Sequence, residues 1–308
     1  MIHVLLKGGL GNQMFQYAYA LLLQQENKDT EVYVNGILRR WSPDKRLSAL
    51  HHFVLNKGTC HCGVLRGVLL FIYFLFQISR KLGLLQTLRM VKLRKQTPNA
   101  IINELYDVGI YCMKGAYVAP PVRITKGHKH LFGYFINPSV VAGMENQLRE
   151  VFTVKTEASK ENLDILNEIK ACNAVCLHVR RGDYSLFPQL QVCDDAYYAK
   201  AVQEACHALE NPVFYVFSTG HSDVEWVRQN YRFIPMQNAR YVDLDNPDYE
   251  ELRLMMACKH FIIANSTFSW WAAYLSDAAG ADKLVWMPFE WLKGTDVQMG
   301  IEGWRVVK

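Results

Sequence analysis

Short apolar runs alternate along this chain with longer stretches whose apolar residues recur at helical spacing. His3–Leu6 is such a run. It is followed by glycines, then by the helix-like NQMFQYAYALLLQQEN and the strand-like EVYVN at 31–35. That order predicts a strand, a tight turn, a helix and a second strand. The middle of the chain, 40–130, shows no regular period. HLFGYFI at 130–136 reads as a further strand, and 139–152 carries a helical apolar period.

A second alternating series occupies the rest of the chain. AVCLHV (174–179), VFYVFS (213–218), HFIIAN (260–265) and LVWMP (284–288) read as strands, with FIPM extended. Residues 194–209, VEWVRQN, 249–259 and TFSWWAAYLSDAAG read as the helices between them. Apolar strands separated by amphipathic helices imply parallel sheets covered on both faces. Two such series, parted near 153–160, predict an α/β protein of two Rossmann-like domains facing across a cleft. We place the boundary at 155/156, giving domains 1–155 and 156–308.

Composition supports a folded chain: of 308 residues, 50% are hydrophobic and 20% charged, far from the balance of a disordered protein. The net charge of +5 hides an asymmetry. Residues 1–158 carry 20 Lys and Arg against 9 Asp and Glu, and the remainder 14 against 20. Between Arg66 and Lys95 there are seven basic residues and no acidic one, around the apolar run VLLFIYFLF. This segment reads either as a core helix with a solvated basic flank or as a peripheral contact with an anionic membrane. The apolar run is too short to span a bilayer, and IHVLL is too short for a signal peptide. Eight scattered cysteines in a chain this long read as reduced thiols. Together these features predict a cytoplasmic protein, soluble or peripheral on the inner membrane face.

Three stretches carry chemistry, each at the carboxyl end of a strand, where open α/β sheets bind ligands. GGLGNQ at 8–13 comes after a strand and opens a helix, so its backbone can approach a ligand. It lacks the third glycine of a dinucleotide fingerprint, and the second strand ends in Asn35 rather than an acid, which disfavours a nicotinamide enzyme. Gly11, Asn12 and Gln13 are read as polar ligand contacts. In HVRRGDY, His178 and Arg180 share a parity and Arg181 points the other way. Arg180 suits a phosphate, gripped by paired charge-assisted hydrogen bonds, while Arg181 suits a structural pair with Asp183. In NSTFSWW, Asn265, Ser266, Thr267 and Ser269 stand where a strand gives way to a helix. They cap that helix or, with its free amides, bind phosphate. In the same half as Arg180, they point to a diphosphate clamp. The DLD at 243–245 precedes a solvated helix start and is read as no metal site. No P-loop and no nucleic-acid motif is present.

These stretches resemble those of the α-1,2-fucosyltransferases, bacterial enzymes related to the blood-group H transferase. GGLGNQMFQYAYA, HVRRGDY and CKHFIIANSTFSWWAAYL are similar to that family's three motifs, in its order. The resemblance implies a GT-B architecture, with an N-terminal acceptor domain and a C-terminal domain for GDP-β-L-fucose. It implies inverting, metal-independent transfer to the 2-hydroxyl of a galactoside, with no cofactor. The acceptor would be a galactoside or lipid-linked oligosaccharide of surface polysaccharide such as O-antigen. Carried over, Arg180 holds the β-phosphate, and Ser266, Thr267, Phe268 and Ser269 supply side chains and amides to the diphosphate. Asn12 meets the sugar-phosphate, and His178 contacts guanosine or fucose. Asp183 is either the general base or an orienter of Arg180. The family usually reads FSDDIEW where this chain has the longer FSTGHSDVEW. That loop is expected near the guanine, which leaves Asp223 to read the base without its usual neighbour. Another linkage, or a non-catalytic GDP-sugar-binding protein, are the competing functions.

Overall fold

A computed structural model of the chain describes residues 1–36, 49–55, 101–102, 109–113, 115–124, 129–276 and 282–308. The side chains at 101, 102, 110, 112, 183 and 185 fall outside that description. So does the whole 66–95 segment, on which the membrane reading rests. The described residues divide into two units, one within 1–48 and 56–141, the other 49–55 and 142–308.

The first unit is built on strands β1 (Ile2–Leu5), β2 (Val32–Asn35), β3 (Ile101–Ile102), β4 (Ile110–Met113) and β5 (Lys129–Phe132). They lie in the order β2-β1-β5-β4-β3, parallel except for the β3–β4 pair. Helix α1 (Leu10–Glu26) comes after β1 and is buried on most faces, from Leu10 to Leu23. The strand expected over 130–136 stops at Phe132, and Phe135 takes a left-handed φ of 54°.

The second unit contains helices α2 (Glu145–Val151), α3 (Lys160–Lys170), α4 (Asp195–Ala208), α5 (Gly220–Asn230), α6 (Asp248–Met256) and α7 (Thr267–Leu275). Its strands are β6 (Asn173–His178), β7 (Pro212–Phe217), β8 (Ala239–Tyr241), β9 (His260–Ile262), β10 (Val285–Pro288) and β11 (Arg305–Val307). All six are parallel, in the order β11-β10-β9-β6-β7-β8. In chain order this is a doubly wound sheet whose direction of winding reverses between β6 and β9. Strand β6 is buried from Ala174 to His178, as a central parallel strand should be. Ser159 and Asp194 cap α3 and α4, accepting hydrogen bonds from Asn162 and Tyr197 backbone amides. Trp270, Trp271 and Trp286 are fully enclosed, and the Trp270 indole donates to the Met299 carbonyl at 2.7 Å.

Both units are α/β with mainly parallel sheets, as the alternation of segments implies. The boundary lies earlier than 155/156. Phe152 packs edge-on against Trp271 at 5.3 Å, and Phe53 bridges to Val154, so α2 and residues 49–55 belong with the second sheet. The helix expected over 139–152 is a 3-10 turn, Pro138–Val140, and then α2; Gly143, at φ 73°, breaks the run. FIPM is not a strand. The chain instead pairs at β8, just after it, and adds β11 at the end. Among the described residues no helix is long and apolar enough to cross a membrane. Cys172, Cys176, Cys193, Cys206 and Cys258 are free thiols.

Candidate functional site

The winding reversal brings two of the three motifs together. Leu177 of β6 pairs with Ile262 of β9, so the loops leaving both strands open side by side at the carboxyl edge. HVRRGDY leaves β6 there, and NSTFSWW leaves β9 and begins α7.

His178 closes β6 and is buried, with 3% of its surface exposed. Burial, aided by the Arg180 charge, drives its pKa down to about 3, so the imidazole is neutral at physiological pH. Its Nδ1 is enclosed without a hydrogen-bond partner. The Phe268 ring, in the first turn of α7, lies 6.1 Å away. The strand direction carries on one residue past β6, with the Val179 amide donating to Phe217 O at 2.9 Å. The Ser218 hydroxyl fixes the Val179 carbonyl at 2.8 Å.

Arg180 comes next, on the rim. Its Nη1 donates to Thr219 Oγ1 at 3.0 Å, and its guanidinium lies 5.2 Å from the centre of the Tyr184 ring. Those two contacts orient the guanidinium at the rim. Arg181 turns away and stacks on Trp226 at 3.2 Å. The carboxylate beside it is that of Asp223, at 4.0 Å. Asp223 also accepts the Gly182 amide at 3.1 Å. The loop that departs from the family pattern thus does local work: Thr219 holds Arg180 and Asp223 holds the turn behind it. Asp223 holds this turn through one carboxylate oxygen. Asp183 lies in the 3-10 turn Gly182–Leu186, and its side chain is outside the described residues.

Across the reversal, Asn265 is buried and fully occupied. Its Nδ2 donates to Leu190 O at 2.9 Å and Trp291 O at 3.1 Å, and its Oδ1 accepts from the Cys193 thiol. The Tyr184 hydroxyl bonds its carbonyl at 3.2 Å. Asn265 is therefore a clamp that ties the 182–191 segment to the start of α7. Ser266 is the N-cap, accepting from the Phe268 amide at 3.3 Å. The Ser269 hydroxyl is enclosed and donates to the Ala264 and Ser266 carbonyls. Thr267 and Phe268 are the half-buried residues of that turn. The positive end of α7 and the Arg180 guanidinium so converge on one edge, an arrangement that suits an anion with two negative groups.

One residue there escaped sequence reading. Glu251, on α6, is partly buried by area, but its carboxyl is enclosed by protein. Burial and the nearby Asp248 raise its pKa to about 7, while Arg180 acts in the opposite direction. A carboxyl that senses Arg180 from another helix has no signal in the local sequence.

In the first unit, GGLGNQ forms the turn from β1 into α1. Gly8 takes φ 77°, and a Cβ added there would come within 2.7 Å of Asn12 Nδ2. Gln13 is buried, and its side-chain amide donates to Gly8 O at 2.9 Å. Gln16 is buried too, accepting from the Lys7 amide and donating to Gly133 O, each at 2.9 Å. Gln13 thus fastens the turn through its bond to the Gly8 carbonyl. Gly11 is buried within α1, and Asn12 is half-buried on its first turn.

The chain is similar to known glycosyltransferases along most of its length. The family model described as glycosyl transferase family 11 matches residues 1–292. The O-antigen biosynthesis glycosyltransferase WbnK of Escherichia coli is 27% identical over 313 residues, covering 94% of this chain and 95% of that protein. An alpha-1,2-colitosyltransferase of Escherichia coli is 27% identical over 285 residues, covering 88% and 86%. Human galactoside alpha-(1,2)-fucosyltransferase 1 is 30% identical over 151 residues, 45% of this chain and 40% of that one. With a family model spanning nearly its whole length and two of the three motif loops meeting at the winding reversal, the chain belongs to glycosyl transferase family 11.

Proposed function

We propose that this glycosyltransferase is inverting and transfers L-fucose from GDP-β-L-fucose to the 2-hydroxyl of a galactose residue in a glycan, forming an α-1,2 linkage. The observation that carries the reading is the convergence of Arg180 and the start of α7 at the β6–β9 reversal. The diphosphate of GDP is the leaving group. In the transition state the bond from fucose C1 to the β-phosphate oxygen breaks and that oxygen gains charge, and fixed donors aimed at developing charge supply the largest catalytic effect. Arg180 offers two N–H groups in a rigid fork, and the amides at Thr267 and beyond add the helix dipole. The neutral His178 places its unbonded Nδ1 beside this edge without a competing charge. Attack by the acceptor hydroxyl on the face opposite GDP gives the α-product. Asp183 is the carboxylate nearest in sequence to serve as base or to steer Arg180. Surface polysaccharide of the O-antigen kind fits the named role of the relative WbnK. Neither a metal nor a cofactor is required in this scheme.

A test is incubation of the purified protein with GDP-fucose and lactose in excess chelator, followed by NMR of the product. A 2-O-α-fucosylated lactose is expected. Tight GDP-fucose binding without product would withdraw the acceptor, and no binding would withdraw the donor. A second reading, with colitose as the transferred sugar, is favoured by the resemblance to the colitosyltransferase. Direct competition between GDP-fucose and the GDP-activated colitosyl donor separates the two.

A further inference from the structure

The edge of the second sheet opposite the candidate site also gathers charge. The last turn of α7, the residues entering β10 and β11, and helix α2 surround a pocket of about 420 Å³. Arg149, Lys283 and Arg305 all line it. No ion pair joins any of the three to a described residue, although Glu145 and Glu302 line the same pocket. Glu145 faces the Tyr274 hydroxyl on the α2–α7 side of the pocket.

Two of the cations are held by something other than a counter-charge. Lys283 gives one of its three N–H groups to Ala273 O at 2.9 Å, at the carbonyl end of α7. Arg305 lies over the Trp286 ring at 5.5 Å. The Nε of Arg149 is enclosed with no hydrogen-bond partner at all. Burial, and then the Arg149 charge, lower the Lys283 pKa to about 8. Cations crowded into a partly dry pocket destabilise one another, and a bound anion relieves that repulsion. The pocket is also too large for a bare phosphate ion. Trp304 forms part of its wall, supported by Trp270 at 5.7 Å, and offers a flat apolar face of the kind on which a sugar ring packs.

We propose that this pocket is a second ligand site, separate from the donor edge, which binds a saccharide carrying a phosphate or a carboxylate. The anionic group would meet Arg149 and Lys283, with Arg305 at the mouth and the ring against Trp304. The inference does not depend on which sugar the enzyme transfers.

The test is calorimetry on the full chain saturated with GDP, so that the donor edge is occupied. Four probes are used: glucose 1-phosphate, glucuronic acid, glucose and inorganic phosphate. Either acidic sugar should bind, and the two together tell phosphate from carboxylate as the preferred group. Glucose and inorganic phosphate should each bind at least tenfold more weakly than the better acidic sugar. Arg149→Gln and Lys283→Met should each weaken that binding about tenfold and leave GDP affinity unchanged; raising the salt should weaken it as well. If Arg149→Gln fails to fold, the exposed Arg305→Gln serves in its place, with a smaller loss expected. Binding of neither acidic sugar, binding unchanged in the folded variants, or glucose binding equally well, would each overturn the proposal. Equal binding by inorganic phosphate would overturn its saccharide part.

Discussion

The turn after β1 and the turn after β6 occupy equivalent places, each carrying a motif away from the carboxyl end of a strand, and they use their polar residues in opposite ways. After β1, Gln13 and Gln16 reach inward and satisfy the Gly8 and Gly133 carbonyls and the Lys7 amide. After β6, the inward work is done from a distance, by Thr219, Asp223 and Ser218 of the neighbouring loop. The motif's own guanidinium stands at the rim, held there by Thr219. A polar residue in a conspicuous motif is thus a ligand contact only where some other residue has taken over the backbone's needs.

The sharpest way to break this contrast is at Arg180. Arg180→Ala should lower kcat by about 10²–10³-fold with an unchanged melting temperature. Arg180→Lys should fall between, because the ammonium keeps the charge and loses the fork. Near-normal turnover by a folded Arg180→Ala protein would remove the residue from the chemistry.

Glu251 tests the field around that arginine. Its folded pKa of about 7 lies above the ordinary 4.5, so its contribution to stability is present at low pH and is lost as pH rises through 7. The loss amounts to at most about 3 kcal/mol. Glu251→Gln should therefore flatten the fall in urea stability between pH 4.5 and about 8. An unchanged slope would mean that the carboxyl titrates as though exposed.

The first turn should respond in stability and not in donor binding. Gln16→Leu leaves a half-buried amide and a buried carbonyl without this partner and should cost about 2–3 kcal/mol; Gln13→Leu, losing the bond to Gly8 O, should cost about 1 kcal/mol. Thermal unfolding measures both, with GDP affinity as the control. If Gln13→Leu keeps its stability and loses turnover, Gln13 is a ligand contact after all and the contrast fails.

The long central strands and the helices between them were legible because burial on both faces leaves continuous apolar runs. β8 and β11 were not. Ala239–Tyr241 and Arg305–Val307 are three-residue edge strands, and Arg240, Arg305 and Val306 are exposed, so neither shows an apolar run. The motif loops could be placed at strand ends, since apolar runs stop there. What could not be read was occupancy. Asn265 looks like a ligand residue until its partners at Leu190 and Trp291 are seen, and these lie 75 and 26 residues away. Arg181 is expected to pair with Asp183, whose side chain lies outside the described residues, while the described carboxylate beside it, Asp223, belongs to another loop 42 positions along the chain. Such partners are chosen by the fold and leave no local trace.

The segment 49–55 has a bearing on how the protein is made. Phe53 bridges to Val154, the Val54 amide bonds Thr153 O at 2.9 Å, and His52 stacks on Tyr249 at 3.8 Å. On the ribosome this segment emerges about a hundred residues before Val154 and about two hundred before Tyr249. Until then Phe53, buried in the finished protein, has none of these partners. The second unit is thus begun early in translation and completed late, and a fragment starting at residue 142 would lack the piece that was laid down first.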